Sequence, residues 1–165
     1  MAVVAVRTGL GWDSHRLVTD PGRPFVLGGV TIESELALDG HSDADVLTHA
    51  VIDALLGALA LGDIGDHFPD TDERWRGADS LALLDHVVGL VTTAGWTVSN
   101  VDATIVLERP KLGRYKREMA ARLASTIGVE PGAVNVKATT AERLDAVGRG
   151  EGAVAQAIAT VVRSI

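Results

Sequence analysis

Apolar positions recur along the chain with two different periods, and the alternation between them outlines the elements. Between residues 43 and 61, Val46, Leu47, Ala50, Val51, Ala54, Leu55, Ala58 and Leu59 fall at the three- and four-residue spacing of one helical face, behind Ser42 as N-cap. That spacing predicts a helix. Residues 80–93 and 114–127 carry the same period, and Gly95 stops the first of the two. β-branched content predicts strands at 3–8, running into Gly9-Leu10-Gly11, at 97–107, closed by Pro110, and at 134–138. Residues 24–32 read as an extended stretch interrupted by Gly28-Gly29, as in a hairpin or bulge. The apolar segment 153–165, which follows a Gly-rich turn at 148–152, fits either period. Residues 62–77 are rich in Gly, Asp and Pro and have none, and a bare loop of that length is uncommon unless it binds something. Strands and helices in mixed order predict an α/β or α+β arrangement, with helices packed against one sheet.

Composition narrows this picture. The 165 residues fit a single domain, 1–165, long enough to bury roughly two-thirds of its unfolded surface. A hydrophobic content of 47% with 22% charged residues suits a globular protein, and no run approaches the roughly eighteen apolar residues of a membrane span. The first six residues pass into a strand with no basic, apolar and small-residue leader, so a cytoplasmic setting is expected and no membrane partner. Cysteine is absent, which leaves His and carboxylate as the strong metal ligands. The net charge of -7 argues against a nucleic-acid surface, and the few aromatics, Trp12, Trp75, Trp96, Phe25, Phe68 and Tyr115, offer no base-stacking platform. An anionic ligand would need a cation to bridge it to such a chain.

Four constellations carry candidate chemistry. In Gly11-Trp12-Asp13-Ser14-His15 an extended backbone puts Asp13 and His15 on one side, where they can share an ion. His49 lies in the long helix with Asp45 and Asp53 one turn either side. Two imidazoles and a carboxylate are a common catalytic zinc set, with the fourth position left open, although a lone His is more often a surface or hydrogen-bonded core residue. Gly40-His41-Ser42-Asp43 precedes that helix, where free N–H groups favour an anion, or where Ser42 serves simply as a cap. Residues 62–72 crowd carboxylates into a loop suited to a hydroxylated ligand, or to a solvated acidic turn. Last, Lys137-Ala138-Thr139-Thr140-Ala141-Glu142 runs a strand into two hydroxyls and a carboxylate, a set that suits phosphate oxygens and a hard cation.

Taken together, GLGWDSHRL, GHSDADVLTHAVIDALLGALALGDIGDHFPDTD, Pro110-Lys111, VNVKATTAERL and GRGEG resemble the 2-C-methyl-D-erythritol 2,4-cyclodiphosphate synthase family of non-mevalonate isoprenoid synthesis, over nearly the whole chain and in the family's order. The resemblance implies an α+β fold, one mixed β-sheet with helices packed on one face, assembled as a homotrimer with active sites at subunit interfaces. It implies that Asp13, His15 and His49 bind Zn2+ or another divalent metal in contact with substrate, and that Glu142 binds a second ion, Mg2+ or Mn2+, bridging the substrate diphosphate.

By the same resemblance His41, Ser42, Asp63, Ile64 and Gly65 would contact the methylerythritol phosphate part of a cytidine diphosphate-linked substrate, together with Phe68, Pro69, Asp70, Thr71 and Asp72. Leu107, Pro110, Lys111, Leu112 and Gly113 would hold the cytidine diphosphate part, with Thr139, Thr140, Ala141 and Glu142. His41 and Thr140 match positions that stabilise the transition state. The chain departs from the family at Asp145-Ala146, where a Gly-Phe pair is common. Ala146 and Arg149 match positions that line a cavity on the trimer axis. Two other readings use the same residues: a zinc phosphohydrolase, and a metal-stabilised trimer that binds an isoprenoid diphosphate without turnover.

Overall fold

The computed structural model describes residues 3–20 and 22–165; Met1 and Ala2, which open the stretch read above as leaderless, lie outside them, as does Pro21. The chain begins with β1 (Val4–Thr19), followed by a hairpin of β2 (Phe25–Leu27) and β3 (Val30–Ile32), and by β4 (Leu36–Leu38). Helices α1 (Val46–Leu59), α2 (Ile64–His67) and α3 (Ser80–Thr93) come next, then β5 (Thr97–Val106), α4 (Lys116–Ile127), β6 (Val134–Thr139), α5 (Asp145–Gly148) and β7 (Gly152–Ser164). The main sheet has the order β4-β1-β7-β5-β6, parallel only between β5 and β6, so it is mixed and the fold is α+β. The β2–β3 hairpin forms a separate two-stranded sheet. Its turn is Gly28-Gly29 with φ of 56° and 70°, a left-handed pair that favours glycine.

Strand β1 does not end at Gly9 as expected but continues through Gly9, Leu10 and Gly11 to Thr19. These glycines are places of close approach rather than turns. A Cβ on Gly9 would sit 2.0 Å from the Ala54 carbonyl oxygen, and one on Gly11 would sit 1.8 Å from that of Ala50. The neighbouring strand continues the same floor, with Ala157 opposite Gly11 and Ala159 opposite Gly9. Helix α1 answers with its own alanines, so its backbone rests almost directly on the strands.

The ambiguous segment 153–165 is the central strand β7. Its buried residues, Ala153, Ala155, Ala157, Ala159 and Val161, alternate with Gln156 and Ile158 on the other face. Helix α1 packs on β1 and β7, α4 on β6, and α3 on α1 and α4, so the helices share one face. Nothing among the described residues covers the opposite face, which carries an apolar patch on β1 and β7. Leu10 and Ile158 pair across β1 and β7 and are 68% and 46% exposed, with Trp12 next to them at 53% and Val6 at 60%.

Helix α1 starts three residues later than its period suggests, and Asp45 rather than Ser42 caps it. Ala44 adopts a left-handed φ of 57°, which breaks the backbone between the two acceptors. The Asp45 carboxylate is fully buried and accepts from Gly28 N (2.9 Å), Gly29 N (2.8 Å), Thr48 N (3.0 Å) and Thr48 Oγ1 (2.7 Å). Burial pushes its pKa up against these four donors, which favour the anion. The same carboxylate thereby ties the hairpin to the start of α1. Residues 62–77 are not irregular throughout: Asp63 and Asp66 form a capping box around α2, and Glu73–Trp75 make a 3-10 turn.

Gly11→Ala should lower stability by about 1–3 kcal/mol through overpacking, whereas Gly89→Ala in α3, which meets no atom within 4 Å, should raise it by roughly 0.5–1 kcal/mol. Urea unfolding of the two variants checks this, and equal stabilities would remove the role assigned to the close approach.

Candidate metal centre and adjoining pockets

Asp13 and His15 stand two residues apart on the helix side of β1, and α1 brings His49 over them. The His15 Nε2 and His49 Nδ1 atoms each lie 3.0 Å from Asp13 Oδ2 and 3.3 Å from one another. All three residues offer ligand atoms within 4.8 Å of one another, and among the described residues no other such cluster of His, Cys, Asp or Glu occurs.

The hydrogen bonds behind the cluster determine which nitrogens carry protons. His15 Nδ1 lies 2.8 Å from the Asp39 carbonyl oxygen, which can only accept, so the proton sits on Nδ1. Ser80 gives its single hydroxyl proton to Asp43, and its oxygen, 2.8 Å from His49 Nε2, therefore accepts from that nitrogen. Neutral His15 and His49 thus turn bare nitrogens toward each other beside a carboxylate. Three electron-rich atoms at such distances require a cation among them, either a divalent metal or a proton. With a proton rather than a metal in that place, burial alone would raise the Asp13 pKa, but hydrogen bonds from His15 and His49 and their charge hold its carboxyl well below the usual range. Burial alone would lower that of His15, but the Asp13 carboxylate outweighs it and raises it. The donor set, two bare imidazole nitrogens and a carboxylate oxygen, fits a three-ligand divalent site with a position left open.

The cluster opens into a cavity of about 480 Å³. Its walls bring together His41, Ser42, Ile64, Gly65, Phe68, Pro69 and Asp70, seven of the ten residues assigned to the methylerythritol phosphate part. Asp63 instead caps α2, Thr71 is exposed in the following turn, and Asp72 is paired with Arg74 at 2.6 Å. His41 donates from Nε2 to the Asp72 carbonyl at 3.3 Å, which fixes its ring at the cavity mouth.

A second pocket of about 260 Å³ gathers Leu107, Pro110, Lys111, Leu112, Gly113, Thr139 and Thr140, adding Lys116, which the sequence did not single out. The two pockets share no lining residue. They nevertheless lie at the same end of the sheet, because Ser14 pairs with Val154, Val154 with Val106, and Val106 with Thr139. Glu142 lies outside the three-residue cluster, exposed, accepting from Thr140 Oγ1 at 2.8 Å. Ala141, Glu142 and Arg143 follow β6 in a strained loop, with Glu142 and Arg143 at φ of 51° and 64°. Ala146 borders a cleft with Trp12 on the uncovered face, and Arg149 is exposed and paired with Glu151 at 2.6 Å.

Several supporting residues escaped the sequence reading. Ser80 and the Asp39 carbonyl orient the two imidazoles from 31 and 24 residues away, and spacing along the chain carries no trace of that. Glu108 accepts from Ala141 N at 2.9 Å and from Arg143 N at 3.4 Å, holding the strained loop from the neighbouring strand end. Asp53 accepts from Ile64 N at 2.8 Å, and its place one turn after His49 was the only signal available.

Ser80→Ala removes the nearer of two hydroxyl acceptors on His49 Nε2, Ser42 Oγ being the other at 3.2 Å, and should weaken divalent-metal affinity by roughly tenfold to a hundredfold with the fold intact. Zinc titration calorimetry with circular dichroism checks it, and unchanged affinity would refute the tautomer assignment.

Comparison with known proteins identifies relatives of the chain. The chain is 54% identical over 156 residues to the 2-C-methyl-D-erythritol 2,4-cyclodiphosphate synthase of Solibacter usitatus (strain Ellin6076), covering 94% of this chain and 97% of that one. Among solved structures it is similar to the bifunctional IspDF of Campylobacter jejuni, with a TM-score of 0.93 and 37% identity, covering 98% of this chain and 43% of that longer one. It is also similar to IspF of Plasmodium falciparum in complex with CDP, with a TM-score of 0.84 and 26% identity, covering 97% of each chain. The profile of the YgbB family matches residues 6–162, and the chain belongs to that family.

Proposed function

We infer that the chain closes 4-diphosphocytidyl-2-C-methyl-D-erythritol 2-phosphate to 2-C-methyl-D-erythritol 2,4-cyclodiphosphate and releases CMP, the phosphorus-oxygen lyase step of non-mevalonate isoprenoid synthesis. The observation that carries this reading is the three-ligand cluster opening onto the cavity of His41, Ser42, Gly65 and Phe68, in a chain that matches a synthase of that name over almost its whole length.

In the reaction an oxygen of the 2-phosphate attacks the β-phosphorus, a new P–O bond closes the ring, and the bond to the α-phosphate breaks as CMP leaves. The nucleophile has a second pKa of about 6 and is already largely ionised near neutral pH, so no general base is needed. Charge is the obstacle. A divalent ion held by Asp13, His15 and His49, with Mg2+ or Mn2+ at Glu142, supplies Lewis-acid polarisation and neutralises phosphate charge. The remaining work falls to the chain. His41 and Ser42 hold the sugar phosphate beside the cluster, and Asp63, Ile64 and Gly65 with the stretch from Phe68 to Asp72 enclose the methylerythritol. The second pocket, with Lys111 and the Thr139 and Thr140 hydroxyls, receives the cytidine diphosphate. The Thr140 hydroxyl, which donates to Glu142 in the free chain, can turn to a phosphate oxygen.

We place each complete site at an interface of a homotrimer. Two features support this: the apolar sheet patch around Leu10, Trp12 and Ile158 has no cover among the described residues, and the two pockets share no lining residue. Among the described residues no helix is long and apolar enough to cross a membrane, and we place the single-domain enzyme in the cytoplasm.

Incubated with the cytidine diphosphate substrate, the protein should release CMP and a cyclic diphosphate, and a chelator should stop turnover; an open-chain bisphosphate would instead establish a phosphohydrolase. His49→Ala should lose zinc and turnover with the fold kept, and retained activity would overturn the ligand assignment. Native mass should be three times the chain mass, and Leu10→Asp should shift it toward the monomer.

A further inference from the structure

Arg23 stands between the hairpin and the cavity, and nothing in the reaction above uses it. One of its nitrogens, Nη2, donates to the Gly40 carbonyl at 3.0 Å and to the Ser42 carbonyl at 2.6 Å, bridging the residues on either side of His41. The third carbonyl of the segment, that of His41, accepts from Gly77 N at 2.8 Å. All three carbonyls are therefore engaged by donors from elsewhere in the chain. Gly40 in turn lies against the His15 ring so closely that a Cβ there would be 2.9 Å from His15 Cε1. The Arg23 clamp thus touches the segment that borders His15, His41 and Ser42 together.

The charge of Arg23 is as informative as its bonds. Among the described residues no carboxylate lies within ion-pair distance of it, whereas other arginines, such as Arg74, Arg76, Arg114 and Arg149, have such partners. Its Nε is buried with no hydrogen-bond partner. A guanidinium satisfied only by carbonyl oxygens keeps its full positive charge, and that charge sits behind a loop facing an anionic ligand in a chain of net charge -7.

We propose that Arg23 is a positioning residue for the Gly40–His41–Ser42 segment and supplies an uncompensated positive charge that favours the phosphorylated end of the substrate. This deepens the synthase reading and rests on it for the identity of that substrate. Arg23 does not line the cavity; it acts through the backbone it holds and through its field.

The test compares the zinc-loaded parent protein with Arg23→Met, which removes clamp and charge, and Arg23→Lys, which keeps the charge but replaces the fork with a single ammonium. Three quantities are measured: KM and kcat for CMP release, zinc per chain, and hydrogen exchange of the amides of residues 41–43. In Arg23→Met, KM should rise about tenfold, kcat should fall, and the 41–43 amides should exchange about tenfold faster, with zinc content unchanged. Arg23→Lys should recover most of the rise in KM but little of the exchange protection. KM and exchange within twofold of the parent in Arg23→Met would overturn the proposal, as would a loss of activity matched by a loss of zinc. Should Arg23→Met not fold, parent-like exchange in Arg23→Lys overturns it alone. A parent protein that releases no CMP would sink the synthase reading, while the exchange data would still judge the clamp.

Discussion

Helix α1 reaches the sheet only because neither side presents a side chain larger than a methyl group at the point of contact. Gly9 and Gly11 offer bare backbone, Ala157 and Ala159 extend the floor, and Ala50 and Ala54 face it from the helix. Packing at this separation decides the chemistry, since His49 projects from α1 while Asp13 and His15 project from β1. Larger residues would lift the helix and spread the three ligands apart. Asp45 completes the constraint by fixing the helix start to the Gly28-Gly29 turn through four hydrogen bonds. Ten residues of α1 and five of β7 belong to the one hydrophobic core, so the core and the metal cluster are one structure.

Around that contact the polar groups form a sequence with little freedom. Asp43 orients Ser80, Ser80 orients His49, and the Asp39 carbonyl orients His15. Each bond leaves the next group one way to place its proton, and the outcome is a pair of bare nitrogens aimed at a carboxylate. Such a set is unfavourable empty and neutral. It is stabilised by a cation, which is how a scaffold can store affinity for a metal before the metal arrives.

Much of this was legible along the chain, for reasons that also explain the misses. Helix α3 appears at the bounds its period predicts, and the core of α1 was clear because its apolar face is wide. The period-two placement of Asp13 and His15 held because β1 is regular through them. Gly9 and Gly11 read along the chain as an ending because glycine signals both a turn and a close approach, and only the partner helix separates the two. Strand β4 and helix α2 are three and four residues long, too short to show a period. The alanines of β7 are weakly apolar whichever way they face, so alternation was faint there. At the helix start two acceptors, Ser42 and Asp45, competed, and the left-handed Ala44 between them settled the matter. Ser80, Glu108 and Arg23 act across long sequence separations, and no local pattern marks them.

The chain carries seven more acidic than basic charges and yet serves, on the proposed reading, a substrate with several phosphate charges. Net charge sets the far field, but binding is decided within a few ångströms, where buried charges are screened least. Near the cavity most carboxylates are committed: Asp13 to the two imidazoles, Asp43 to Ser80, Asp45 to backbone donors, and Asp72 to Arg74. Arg23 has no such partner among the described residues, and the electron-rich cluster calls for a second positive charge of its own. A neutralised acidic surround with fixed cations inside it gives an anion a local attraction that the overall charge conceals, and it confines that attraction to the place where the phosphates must meet.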